Sequence, residues 1–226
     1  MENGKAIKSI AINSNACYYY LTNVRKGDEM TLNRIKQAAL TQFAVNGYEG
    51  ASLAHIANEV GIKKQSIYTH FSGKDELFLE VFKDSFGKEL QFVNQYFGSK
   101  QQDPFKEVLH NFLLQYLDRY EQDSNTNFFL RTVFFAPLHL KSEVVEQGNS
   151  FIDQLEEMLI PLFNAANLEN NMRLSVDEDT AAIAFIAVLD GLFMEMLFGN
   201  AERTMRRLNA SWSVYWSGIQ QGSEGT

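Results

Sequence analysis

Within one short stretch the chain sets Lys63, Lys64, Gln65, Ser66, Tyr68, Thr69, His70 and Lys74 around two apolar residues, Ile67 and Phe71. Ammonium and hydroxyl groups donate to phosphate oxygens, and glutamine or lysine side chains read adenine or guanine edges. The chemistry on offer is nucleic-acid recognition. Bond-breaking chemistry has no comparable signature, since no activated nucleophile and no paired acid and base stand out. No enzyme and no catalytic residue is expected. Cys17 is the single cysteine, which excludes an intrachain disulfide and a cysteine-based zinc finger. His110 and His139 make no metal spacing, and neither a metal nor a cofactor is expected.

Three short segments must position those polar residues. Leu32, Ile35, Ala39 and Phe43 share one face of a helix over 32–46, and Gly47 follows where a left-handed stop belongs. Ser52 stands at an N-cap position, Leu53, Ile56, Ala57 and Val60 make the next apolar stripe, and Gly61 ends it. After Gly61-Ile62-Lys63 a second helix begins, held to the core by Ile67 and Phe71. Two short helices joined by a tight glycine turn describe a helix-turn-helix, whose second helix enters the major groove.

The run from Ser52 to Phe71, with Ser72-Gly-Lys-Asp-Glu-Leu-Phe78 behind it, resembles the TetR family of bacterial transcriptional regulators. The resemblance rests on Gly47-Tyr48, Ile56-Ala57, Gly61, Tyr68, His70-Phe71 and Lys74. Specific motifs cover about the first third of the chain, and the remainder is similar in layout. The resemblance implies that Ser52 contacts a phosphate from the start of helix two. It places Lys64, Ser66, Tyr68, Thr69 and His70 on or beside the groove, and gives Lys74 a backbone phosphate. Two positions depart from the family pattern. Lys63 stands where a small N-capping residue is usual, which costs about 1 kcal/mol unless the lysine reaches a phosphate instead. Gln65 stands where glycine is frequent, and its amide is expected to help set the operator sequence.

The chain has 226 residues, 45% of them hydrophobic, enough for a sizeable core in one or two domains. Net charge is −8, an unusual sign for a DNA binder until it is divided by region. Residues 1–78 hold nine Lys or Arg and seven Asp or Glu, so residues 79–226 hold 11 and 21, a balance of −10. An acidic body repels DNA and leaves Lys63, Lys64 and Lys74 as a local basic patch; the same acidity also serves solubility. No continuous run of about 18 apolar residues reads as a membrane span, and no signal peptide is evident, so a reducing cytoplasm is expected. Residues 1–29 read as a leader or flexible arm without helical period, in which Arg25 and Lys26 fit the minor-groove arm of family members. Lys26-Gly27-Asp28-Glu29 can also be encoded with a ribosome-binding sequence ahead of Met30, so translation from Met30, at least in part, is expected.

The expected fold class is all-α: a helix-turn-helix domain over 30–78, with its motif at 52–71, joined by one long helix to a helical domain over 79–226. The long helix runs from about Lys74 to Phe97, opened by a Ser72-Gly-Lys-Asp75 capping box. Further helices follow Asp103-Pro104, over about 127–136, and from Ser142 to a kink or end near Pro161. The segment over 181–198 is apolar nearly all round, as in a helix buried on two sides. In the last helix Met205, Leu208, Trp212, Tyr215 and Ile219 repeat at steps of three and four, the seam of helix pairing. They are the expected homodimer interface of a four-helix bundle, with packing inside one subunit as the alternative. Two heads spaced by about 34–36 Å then read a palindromic double-stranded operator.

Fifteen of the 18 phenylalanines follow residue 78. Aromatic stripes usually make core, yet this many large side chains also suit an apolar ligand pocket. Phe112, Tyr116, Phe129, Arg131, Phe135, Phe185, Phe193 and Glu195 are the candidate contacts for a small-molecule effector, with His139 as a further polar candidate. The expected mechanism is repression relieved by an apolar effector that shifts the long helix and the spacing of the two heads. Three alternatives remain: a constitutive DNA binder regulated through a protein partner, an enzyme, and a helical binding module that has lost DNA contact.

Overall fold

The structure is a computed structural model that describes residues 14–100, 103–168 and 172–221, with side chains from residue 28 onward. Among the described residues the chain is all-α, and pairing outside helices is confined to one bridge between Leu174 and Gln220. The helices are α1 (Ser14–Gly50), α2 (Leu53–Val60), α3 (Lys64–Ile67), α4 (Lys74–Gly98), α5 (Phe105–Gln122) and α6 (Ser124–Phe134). A 3-10 turn at Leu138–Leu140 leads to α7 (Lys141–Leu168), α8 (Glu178–Phe198) and α9 (Ala201–Ile219).

Several boundaries differ from the sequence reading, each for a local reason. α1 begins at Ser14, so the leader is helical over 14–29 where no period suggested a helix. Elongation of a nucleated helix requires no apolar stripe, and no proline interrupts this segment. The minor-groove role given to Arg25 and Lys26 falls on side chains outside those described. α6 starts three residues earlier than expected because Asp123 caps it, its carboxylate accepting from the Asn125 N–H at 2.9 Å. α7 passes through Pro161 instead of ending there. Leu159, Phe163 and Ala166 are buried on both sides of the proline, and that packing offsets the lost hydrogen bond. Ser142 is not its cap, since the helix already starts at Lys141.

The apolar faces merge into one continuous core. Phe43 of α1, Phe78 of α4 and Phe128 of α6 meet at ring centroid distances of 5.0, 5.5 and 6.1 Å, joining head to body. Deeper in the body Phe82 stacks on Phe129 at 5.6 Å, and Phe129 meets Phe151 at 5.1 Å. α8 packs against α5, α7 and α9. By length and composition α8 is apolar enough to cross a membrane, which the sequence reading did not register. Its Ala181, Phe185, Leu189, Leu192 and Phe193 are buried in the protein core, so it is the central body helix the all-round apolar pattern implied.

Candidate nucleic-acid interface

The turn between α2 and α3 is fixed by local chemistry. The Ser52 hydroxyl oxygen accepts from the His55 N–H at 3.2 Å, capping α2. Gly61 closes it at φ 77°, a left-handed conformation that glycine adopts without steric cost. Its N–H reaches the Asn58 carbonyl and that of Ile62 reaches Ala57, a Schellman stop. Gly47 kinks α1 at φ 67° and ψ −179°, a positive-φ conformation other than the left-handed stop the sequence suggested there. Arg34 reaches from α1 to the Val60 carbonyl at 2.7 Å, so the end of α2 is held to the head's other wall.

α3 is a single short helix whose Ile67, with Phe71 just beyond it, is buried. Lys63, Lys64, Gln65, Tyr68 and Thr69 are exposed, and Ser66 and His70 half-buried. Tyr68 keeps 50% of its surface in water, a large exposed aromatic on a small domain. The Lys64 ammonium lies 5.9 Å from its ring centroid, so the two form one cationic, flat-faced patch. Thr69 donates its hydroxyl to the Ser66 carbonyl at 2.7 Å, which leaves its lone pairs outward. Lys63 makes no side-chain cap, in line with the departure noted from the family pattern.

Lys74 and the capping box are arranged differently from expectation. The Lys74 ammonium donates to the Ala51 carbonyl at 3.1 Å and sits 4.1 Å from the Tyr48 ring centroid. The lysine thus ties the start of α4 to the α1–α2 corner, and a phosphate has to share it. Glu76, not Asp75, accepts from the Ser72 N–H, at 2.6 Å. Asp75 is occupied elsewhere: it accepts from the Tyr48 hydroxyl and lies 3.4 Å from His139 Nε2. The Tyr48 hydrogen bond, ahead of His139, holds the Asp75 carboxyl below its usual range. His139 is therefore a head-to-body contact, packed 5.2 Å from the Tyr48 ring, and not a pocket residue.

Sequence reasoning missed the polar centre of the body. Glu89 of α4 is fully buried, and its Oε1 accepts from Arg119 Nη2, Asn125 Nδ2 and Thr126 Oγ1, each at 2.9 Å. Arg119 also lies 4.0 Å from the Phe92 centroid. This network fastens the middle of α4 to α5 and α6. The signal was present: Glu89 falls seven residues after Phe82 and four before Val93, within the apolar stripe. Tyr116 lies beside it, and burial, then Glu89, pushes its phenol well above the ordinary value.

Of the proposed effector contacts, Phe129 and Phe193 line a shared apolar cleft. Phe112, Tyr116 and Phe185 close on one another as packed core: Phe112 meets Tyr116 at 5.1 Å and Phe185 at 6.2 Å. Arg131 is exposed, and Phe135 lies outside against Phe198 at 5.6 Å. Glu195 is buried at the α8–α9 corner between Arg203 and Arg207. The Arg203 hydrogen bond, with Arg207 behind it, holds its carboxyl below the ordinary value. These three leave the pocket set because local partners or solvent already claim them. The helix-pairing seam is corrected likewise. Leu208, Trp212, Tyr215 and Ile219 are 3 to 8% exposed in the single chain, and Met205 is half-buried. Tyr215 donates to the Ala181 carbonyl at 2.9 Å, so the seam joins α9 to α8 of its own subunit.

Comparison with known proteins agrees with the head's geometry. The family model for bacterial regulatory proteins of the tetR family matches residues 35–81. Over 100 residues the chain is 32% identical to the biofilm operon icaADBC HTH-type negative transcriptional regulator IcaR of Staphylococcus aureus (strain Newman). That match covers 42% of this chain and 54% of the relative, so the chain spans about half of that protein's length. IcaR of Staphylococcus epidermidis is 24% identical over 137 residues, 60% of this chain and 71% of its own. Among solved structures, a TetR transcriptional regulator from Chloroflexus aurantiacus superposes with a TM-score of 0.69 at 23% identity, covering 88% of this chain and all of that one. FadR from Bacillus subtilis, solved in complex with stearoyl-CoA, gives 0.58 at 19%, covering 83% and 98%. These two share the fold. Buried anchors, glycine stops and an exposed polar row thus coincide with the matched segment, and residues 35–81 form a DNA-binding head of the kind found in bacterial regulatory proteins of the tetR family.

Proposed function

We propose that the protein is a homodimeric repressor that binds a palindromic operator and is released by a small apolar effector. The observation that carries this reading is the row Lys63, Lys64, Gln65, Tyr68 and Thr69, exposed on an element whose Ile67 is fully buried. Side chains so held are presented to a groove without a folding penalty. Tyr68, Lys63, Lys64 and Ser52 position the head on phosphates, and Gln65 reads a base edge. The negative regulator among the relatives supports repression over activation.

A palindrome needs two heads, and the outward face of α8 offers the second copy its seat. Ile183, Ala187, Gly191, Met194 and Phe198 are spaced at steps of three and four and are all exposed; Ile183, Met194 and Phe198 keep 50, 42 and 58% of their surface in water. Val214 of α9 is 76% exposed beside small residues Ala210 and Gly218. Two such faces packed together form a four-helix bundle. Release follows from α4, which carries the head at one end and is held by Phe129 and Glu89 in the body. A ligand that displaces Phe129 moves Phe82 and with it the heads, and a coupling of about 1–3 kcal/mol lowers operator affinity about 5- to 150-fold. Footprinting on DNA flanking the protein's own gene tests the reading. A protected palindrome supports it, and failure to protect any sequence above random DNA overturns it.

A further inference from the structure

The cleft that Phe129 and Phe193 line has a chemistry of its own. It lies between α6, α7 and α8 and encloses about 440 Å³, within the range of small-molecule sites. Val133, Phe151, Ile152 and Met194 complete the apolar wall, and no lysine or arginine lines it. Its one charged residue is Asp190, exposed at the mouth. Among the described residues Asp190 has no hydrogen-bond or ionic partner, in contrast to Glu89 and Glu195, which are each held by arginine. Partial desolvation by its neighbours, with no counter-charge to offset it, raises its carboxyl above the ordinary value.

We infer that this cleft takes a hydrophobic monocation, its apolar body against Phe129, Phe151 and Phe193 and its charge at the Asp190 carboxylate. The inference rests on the repressor reading and names the class of its effector. A neutral apolar ligand would fill the walls but leave Asp190 without its counter-charge. An anion would meet both Asp190 and a body whose balance is −10 over residues 79–226 (11 basic, 21 acidic). Gly191 and Met194 of the cleft also belong to the α8 face assigned to the second copy, and Asp190 adjoins Gly191, so dimerisation covers the mouth and shields the ion pair from water, where it is strongest. The wall is mechanically connected to the head, because Phe129 stacks on Phe82 of α4.

Tetraphenylphosphonium and tetraphenylborate, near-identical in shape and opposite in charge, provide the test on the full-length dimer. Titration calorimetry is expected to give the cation at least about ten-fold tighter binding than the anion, the scale of one charge-assisted contact. Asp190→Asn brings the two within about two-fold, and Asp190→Glu restores the preference. Equal binding of both ions, binding of neither, or a preference that survives Asp190→Asn overturns the inference. A gel shift with operator DNA run in parallel separates the two claims. Protein that binds DNA but is indifferent to ion charge defeats the cation site alone, whereas protein that binds no DNA defeats the repressor reading.

Discussion

The head and the body place their polar residues on opposite sides of the same core. In the head Lys64, Gln65, Tyr68 and Thr69 face water while Ile67 and Phe71 face inward. In the body Glu89, Asn125 and Thr126 are buried and bonded to one another. The difference follows from how each region fixes its backbone. The head's helices are kinked at Gly47, stopped at Gly61 and capped by Ser52, local devices that leave side chains free for a partner. The body's long helices are capped too, by Asp123, Asp177 and Asn200, but the polar groups they bury, Glu89, Asn125 and Thr126, are consumed in setting how they pack. If that contrast holds, substitutions in the two regions separate stability from recognition.

The largest effect is expected at Glu89. Its removal in Glu89→Ala leaves Arg119, Asn125 and Thr126 without their shared acceptor and should cost about 3–5 kcal/mol, because a broken buried pair leaves an uncompensated charge. For a protein of this size that lowers Tm by about 10 °C. Calorimetry showing less than about 1 kcal/mol would mean that the network does not hold α4.

Next comes the contrast between the two faces of the last helices. Met194→Lys, on the outward face of α8, should weaken the dimer about a hundred-fold in analytical ultracentrifugation while the monomer stays folded. Leu208→Ala, in the inward seam, should cost about 2–5 kcal/mol of folding stability and leave the dimer's sedimentation unchanged for the folded fraction. The reverse pattern would return the interface to the seam.

That seam shows what the sequence could and could not disclose. Periodicity identified Leu208, Trp212, Tyr215 and Ile219 as one face of a helix, and they are one face. Which partner the face meets is a tertiary fact, and a step of three and four reads the same against α8 of the same chain or against another chain. The head was legible because its determinants lie within a few residues of the sites they set: Ser52 beside His55, Gly61 beside Ala57. Glu195 and Arg131 were misplaced for the converse reason. The arginines that claim Glu195 lie across the α8–α9 turn, and the exposure of Arg131 depends on how α6 rotates against α1 and α4. Lys74 was half legible, its place at the start of α4 foreseen and its contact with Ala51 and Tyr48 not.

Recognition should respond where stability does not. Tyr68→Ala should reduce operator affinity at least about ten-fold by gel shift, yet change stability by no more than about 0.5 kcal/mol, since half the residue is in water and its ring anchors nothing. Lys64→Ala should lower the slope of log affinity against log salt by about one, as expected for one phosphate contact. Lys74→Ala should change that slope less and also lower Tm, because its ammonium already serves Ala51 and Tyr48. Equal slopes for the two lysines would place both on phosphate.

The smallest effect, silent at neutral pH, compares the regions through their tyrosines. Burial, then Asp75, raises the Tyr48 phenol in the head. In the body burial pushes Tyr96 up to about 12 and also raises Tyr116 and Tyr215. A group that folds with a raised value keeps its proton longer in the native state than in the unfolded chain. Its stabilising contribution is therefore complete below the unfolded phenol's value near 10 and is lost as pH rises from there toward the folded value. Three such groups in the body against one in the head predict that alkaline unfolding starts in the body. Tyr96→Phe should flatten the loss of Tm above about pH 10, since its hydroxyl, buried on the Val108 carbonyl at 2.7 Å, is one of the protons the unfolded chain releases. Tyr48→Phe should flatten it too, and should also free Asp75, so that the head's contact with His139 is the part that changes. An alkaline limb untouched by Tyr96→Phe would show that the body's phenols are as accessible to solvent as the head's, and the contrast between a locally built surface and a packed interior would fail there.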